Sequence, residues 1–396
     1  MKIELPSVKN VGSLEILLAS YPILVAYQYG FLRFDVLILL IMSAISFAKR
    51  KIILKNKRLT LIFLYVILHE FIWLFVTGGS QTQINNIISL VVIIGSVFII
   101  VPAIDAVKLK NSFYLIGLIV MAGLLYHVLV LARGGSITPI QIPFLPDMGA
   151  DSRFHEIYDN RPTSFFEEPA GAAVYLLVPF WFSLRDAKYL WSAVIGLFVL
   201  LSTSTNGIVF LAILSITYVG TQKLRWWNVV LIMIVGIGLG YIYLTNSAFE
   251  VGREKIEGTE YEQTSRLFNG PEIVTHMPSE DLIMGMPYHT IEDYYKSNSL
   301  KDAILLESHK GFYFVSAIWY IIIKYGIVGF LIFGFFYLWL FQRGKQIWPY
   351  LIVVLIGMVS SSTILNGGWA YQTIILLSLA NTWSPLQRRT LRNNFK

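Results

Sequence analysis

Apolar runs of about 16–20 residues recur along most of the chain, the length an α-helix needs to cross a ~30 Å hydrocarbon core. The runs are apolar on every side, whereas a helix on a soluble surface alternates apolar and polar faces. Of 396 residues, 56% are hydrophobic and 14% charged, which fits the same picture. The expected fold is an all-α polytopic membrane protein, one integral membrane domain over residues 1–396. Spans are expected near 14–32, 34–49, 59–77, 86–104, 112–131, 169–184, 188–204, 207–221, 228–245, 326–342, 348–365 and 369–383, about twelve helices. The first run lacks a small-residue cleavage site and leads straight into the next, so it reads as an uncleaved helix.

Lysine and arginine concentrate in alternate connections: residues 49–58, Lys108 with Lys110, Arg185 with Lys188, Lys223 with Arg225, Arg343 with Lys345, and Arg388 to Lys396. The positive-inside rule places these connections, and hence both termini, in the cytoplasm. Two large loops, 133–167 and 246–309, then face outward. From Glu250 to Glu307 twelve carboxylates face five Lys/Arg, about −7, which leaves about +14 elsewhere in a chain of net +7. That asymmetry is a topological signal and not a nucleic-acid footprint. Cysteine is absent, which excludes disulfides, thiol chemistry and thiolate metal sites.

The segment 310–342 must cross an odd number of times, because its loop is outside and Arg343 inside. It holds two apolar pieces, 311–323 and 327–340, split by Lys324-Tyr325-Gly326. One crossing plus one interfacial or re-entrant helix is therefore expected, with His309 at the start of the non-crossing piece.

Chemistry-bearing residues gather in the loops. Residues 161–169 read Arg-Pro-Thr-Ser-Phe-Phe-Glu-Glu-Pro. Pro169 suits the first helical turn, and Glu168 then falls at the N-cap, near unsatisfied N–H groups. Arg161 leads in through Pro162 and two phenylalanines, expected to be stiff and extended. A guanidinium binds phosphate through two parallel hydrogen bonds, but on these residues alone a cap and a surface charge are equally good readings. In the second loop Arg253 and Lys255 sit among carboxylates and are expected to be solvated pairs. Arg266 has no adjacent acid and reads as functional. His309, beside Glu307, is placed to accept or orient a proton near neutral pH.

Other motifs carry less. His69-Glu70 lies mid-span and reads first as a packing contact and second as a cavity lining. The Gly-Ile-Gly-Leu-Gly run at 236–240 sits inside an apolar span and suits close helix packing. There is no Asp-x-Asp, no Gly-Lys-Ser/Thr loop and no histidine cluster at metal spacing.

Residues 161–170, with the sequence 307–314 (Glu-Ser-His-Lys-Gly-Phe-Tyr-Phe) and 325–329 (Tyr-Gly-Ile-Val-Gly), resemble segments of bacterial O-antigen and exopolysaccharide repeat-unit polymerases, the Wzy type. Residues 201–207 line up with a Ser-Arg-Gly turn of that family. Lys310 stands where the family has Asn, and Thr205-Asn206 where it has Ser-Arg, so that turn is expected to make no phosphate contact. The resemblance implies a GT-C-like glycosyltransferase in the bacterial inner membrane, inverting and metal-independent, with no cofactor. Its substrate would be an oligosaccharide on undecaprenyl diphosphate, with membrane lipids and a chain-length-regulating membrane protein as partners and no nucleic acid. Arg161 and Arg266 would bind the diphosphate. His309 and Glu168 would activate or orient the acceptor hydroxyl, with Glu167 the second carboxylate. Phe165, Phe166 and Tyr261 would stack on sugar faces. A ligase of the same superfamily and a flippase for the lipid-linked sugar are the alternatives.

Overall fold

Helices that are apolar all round must be surrounded by other helices or by lipid, and the chain sorts its helices into both kinds. The computed structural model describes residues 10–29, 32–49, 53–145, 161–221, 245, 261–287, 290–294, 315–361 and 364–382, with backbone alone for 28–29, 32–33, 261–268, 360 and 382. Eight helices alternate in direction through the first part: α1 Ser13–Leu24, α2 Phe34–Ala48, α3 Lys57–Val76, α4 Gln81–Ile100, α5 Ala106–Ala132, α6 Pro169–Arg185, α7 Tyr189–Leu201 and α8 Thr205–Thr221. Among the described residues α9 Tyr261–His276 and the short α10 Ser279–Met284 and α11 Ile291–Tyr294 follow, and then α12 Ala317–Gln342, α13 Trp348–Ser360 and α14 Gly367–Thr382. A two-residue hairpin, β1 Gln28–Tyr29 against β2 Leu32–Arg33, turns the chain from α1 to α2.

Among the described residues, four segments are long and apolar enough to cross a membrane unaided: Lys57–Val76, Gln81–Ala103, Ala106–Ala132 and Ala317–Gln342. Five more are apolar but shorter, among them Phe34–Ala48 and Thr205–Thr221. The protein is thus a helical membrane protein of several spans. The helices start where caps exist. Asn56 accepts from the N–H groups of Arg58 and Leu59, and Asp105 from those of Val107 and Lys108, satisfying groups that a helix end leaves orphaned.

α6 and α14 form the interior. Residues from Ala172 to Ser183 are almost all buried, as are Trp369 to Ala380. α3 shows the opposite pattern. Leu61, Leu64, Leu68, Phe71 and Phe75 are exposed while His69 and Glu70 are buried. An apolar exterior over a polar interior is what hydrocarbon around the bundle selects.

The two ends differ in charge. Arg58 and Arg343 both lie over the Trp339 ring, at 5.3 and 4.3 Å, and Lys110 pairs with Asp186 at 2.6 Å. These residues, with Lys108, Arg185, Lys188 and Lys345, mark a basic end. At the opposite end lie residues 133–145, the 161–168 segment and the starts of α2, α6, α8 and α14. We refer to it as the loop end.

Two expectations change. The run at 14–32 is not one span: its helix stops at Leu24, two residues after Pro22, and the chain pairs with itself as the hairpin. Pro22 removes a backbone donor from the last turn, and the polar Gln28 favours a solvated turn over a longer helix. The 310–342 stretch divides as the apolar pattern suggests, at Gly326, whose φ of 67° and ψ of −177° break α12. The nine described residues before the break rise only about 13 Å, too little to cross. The expected span 228–245 lies outside the described residues except for Thr245.

Candidate functional site

The 161–169 segment does not lead in as an extended strand; it folds into the top of the bundle. Ser164 adopts φ 57°, and the turn is held from both sides. The N–H groups of Thr163 and Ser164 donate to Nδ1 of His127 at 3.2 and 3.3 Å. That acceptance places the ring's proton on Nε2. Ser164 Oγ donates to the Val120 carbonyl at 3.0 Å, and the Ser164 carbonyl accepts from the Ile140 N–H at 2.8 Å. Phe166 N–H closes the turn onto Thr163 O at 3.1 Å. Room for it comes from Gly123 of α5, where an added Cβ would collide with Ser164 Oγ. Each bond contributes about 0.5–1.5 kcal/mol net, and losing a buried partner costs more, about 1–3 kcal/mol.

Arg161 opens the segment. Its Nε donates to Thr203 Oγ1 at 3.1 Å and its Nη2 to the Thr203 carbonyl. Thr203 stands between α7 and α8 with φ 54°, in the turn aligned with the Ser-Arg-Gly motif. A left-handed residue turns its carbonyl out of the helical ladder, and here that carbonyl orients a guanidinium. The turn's contribution is therefore to position Arg161.

Glu168 occupies the N-cap position of α6 and Pro169 the first helical position, yet the Glu168 side chain makes no capping bond. Only its carbonyl serves the first turn, accepting from Gly171 N–H at 3.0 Å. The expected carboxylate cap is absent; the side chains that cap well are the shorter Ser, Thr, Asp and Asn. Glu167 is half-buried, and burial first, then the neighbouring Glu168 charge, holds its carboxyl above the usual carboxylate range. A carboxylate so shifted is the better proton acceptor near neutral pH. Phe166 is buried with its ring 5.7 Å from that of Tyr175.

No protein-family model matches this chain. No curated protein aligns with it at a significant level either.

Of the second loop, α9 packs on α12 and α13. Gly270 sits so close to Trp319 that an added Cβ would overlap the indole. The backbone of Arg266 lies one turn before that contact; its side chain, and that of Tyr261, lie outside the described residues. His309, Glu307, Lys310, Arg253, Lys255 and residues 236–240 lie outside them too. The start of α12 is tied to the end of α13 by Ala317 N–H on Ser361 O at 2.7 Å, and α13 packs along α8. Both arginine-bearing segments thus attach to neighbouring helices.

His69-Glu70 is a packing contact, as expected, but not at mid-span: six residues separate Glu70 from the end of α3 at Val76. Glu70 pairs with Lys324 at 3.2 Å, both side chains at most 1% exposed, and accepts from Tyr325 OH at 3.1 Å. Residue-level reading overlooked His127, Thr203 and this partner. An ionisable residue inside an apolar run was the available signal for His127 and Lys324; nothing local marked Thr203.

Proposed function

We propose that the protein is a glycosyltransferase that polymerises lipid-linked oligosaccharide repeats at the loop end of the bundle. The observation that carries this reading is the 161–168 segment, which sets a guanidinium held by Thr203 a few residues from a carboxyl of raised proton affinity. In the reaction an acceptor hydroxyl oxygen bonds to the anomeric carbon as the bond from that carbon to the phosphate oxygen breaks. The electron pair leaves on the diphosphate, and the hydroxyl proton passes to a carboxylate or imidazole, with Glu167, Glu168 and His309 as candidates. Charge grows on the leaving diphosphate, where a preorganised cationic donor is worth ~10²–10³ in rate. Arg161 and Arg266 fill that role. Under the positive-inside rule the basic end faces the cytoplasm, and the loop end faces the side on which such lipids are displayed.

Arg161→Ala and Arg266→Ala are expected to fold but to leave single-repeat glycans in place of long chains. Normal chain lengths in both strains would remove the proposed roles. The product also separates a polymerase from a ligase of the same superfamily, since loss of a ligase leaves long chains unattached. A second reading, movement of the lipid-linked sugar across the membrane, is favoured by the broken α12 and the buried Glu70–Lys324 pair. Transfer by the purified protein in detergent, where no transmembrane gradient exists, would separate enzyme from transporter.

A further inference from the structure

Beside the 161–168 segment a cavity of about 450 Å³ runs into the bundle between α1, the start of α2, α6, α13 and α14. Its size is that of small-molecule sites. Aromatic faces form the walls: Phe166 over Tyr175, and Tyr21 stacked on Tyr371 with centroids 5.7 Å apart and planes within 13°. Polar groups punctuate them. Asp35, Asn366 and Gln372 bring polar side chains to the lining, while the hydroxyls of Tyr175 and Tyr371 are buried behind the rings with no partner among the described residues.

Charge decides what fits. Among the described residues the lining holds one carboxylate, Asp35, and no lysine or arginine. A diphosphate would meet repulsion there, and a polyprenyl tail would leave Asp35, Asn366 and Gln372 facing hydrocarbon. An uncharged sugar ring meets both demands, offering C–H faces to the rings and hydroxyls to the polar edges. The walls approach closely because glycines allow it. An added Cβ at Gly367 would overlap Tyr21 Oη and lie 3.1 Å from Asp35 Cβ, and one at Gly171 would lie 2.9 Å from the Phe166 ring.

We propose that this cavity is a neutral-sugar subsite, with Asp35, Asn366 and Gln372 supplying the hydrogen bonds. It rests on the glycan reading above only for the source of the sugar. The test is saturation-transfer NMR on the full chain in nanodiscs, with methyl β-glucopyranoside, methyl β-galactopyranoside and methyl N-acetyl-β-glucosaminide as probes and glucose 1-phosphate as the charged control. Transfer to at least one neutral glycoside is expected. Gln372→Met keeps the length of the side chain and is expected to weaken that binding about fivefold or more, the worth of roughly one hydrogen bond. The same variant is expected to melt no lower than the wild type, because the Gln372 side chain makes no hydrogen bond among the described residues. A purely structural role for Gln372 would lower melting and leave binding unchanged. The proposal is overturned if no neutral glycoside shows transfer, if only the phosphate does, or if the Gln372→Met variant binds like the wild type. Chain length in the Arg161→Ala strain reads the polymerase assignment separately: glycoside binding with normal chains sinks that assignment alone, and short chains without glycoside binding sink the subsite alone.

Discussion

Glu167 shows how a single side chain at the loop end comes by useful chemistry. Partial burial and the adjacent Glu168 both penalise its charged form, so it holds its proton to a higher pH when folded than when unfolded. A raised carboxyl makes the fold relatively more stable when protonated. Stability is therefore gained as pH falls through the raised folded value and is complete below the ordinary value near 4.5. Melting of the wild type minus that of Glu167→Gln is expected to rise as pH is lowered from 8 toward 4. Parallel pH profiles for the two proteins would show that Glu167 is not perturbed. The neighbouring histidine works differently. His127 serves the turn as an acceptor and fixes two N–H groups that would otherwise be buried and unpaired.

Among the elements, α12 is the one whose break does something for its neighbours. Gly326 has a backbone conformation that is nearly exclusive to glycine, and an added Cβ there would overlap the Ile283 carbonyl of α10. α10 is held in this notch. Met286 N–H donates to Ile323 O at 2.9 Å, and His69 Nε2 lies 3.0 Å from both Met284 O and the Trp73 indole nitrogen. Nε2 serves one of them at a time: carrying a hydrogen it donates to Met284 O, and without one it accepts from the indole N–H. The Glu70–Lys324 pair lies beneath. Removing one member leaves a buried charge alone, which costs about 3–5 kcal/mol, whereas replacing both is far milder. Glu70→Gln and Lys324→Met are each expected to lower the thermal midpoint sharply and the double variant to recover most of it. Additive losses would mean that the pair does not act as a unit.

At the scale of the whole molecule, the segregation of charge predicts an orientation that can be measured directly. The chain has no cysteine, so single cysteines report cleanly. Gln81→Cys, exposed at the loop end, is expected to react with a membrane-impermeant maleimide added to intact cells. Lys345→Cys, exposed at the basic end, is expected to react only after permeabilisation. The reverse pattern would put the 161–168 segment in the cytoplasm and remove the proposed substrate from its reach.

Much of this protein follows from one-dimensional order. Helices α2 to α8 and α12 to α14 start and stop close to the ends of their apolar runs, because hydrocarbon length and backbone pairing leave a run of that size little choice. The division of α12 at Lys324-Tyr325-Gly326 could be read for the same reason: a charge and a glycine interrupt an otherwise unbroken apolar stretch. Contacts between distant segments could not be read. Arg161 on Thr203, the Thr163-Ser164 turn on His127, and Glu70 on Lys324 join residues between 36 and 254 positions apart. No periodicity encodes those pairings, since each depends on which helices become neighbours once lateral packing is settled. The cavity beside Phe166 belongs to that second kind: its residues come from five separate parts of the chain, and only the packed bundle turns them toward one another.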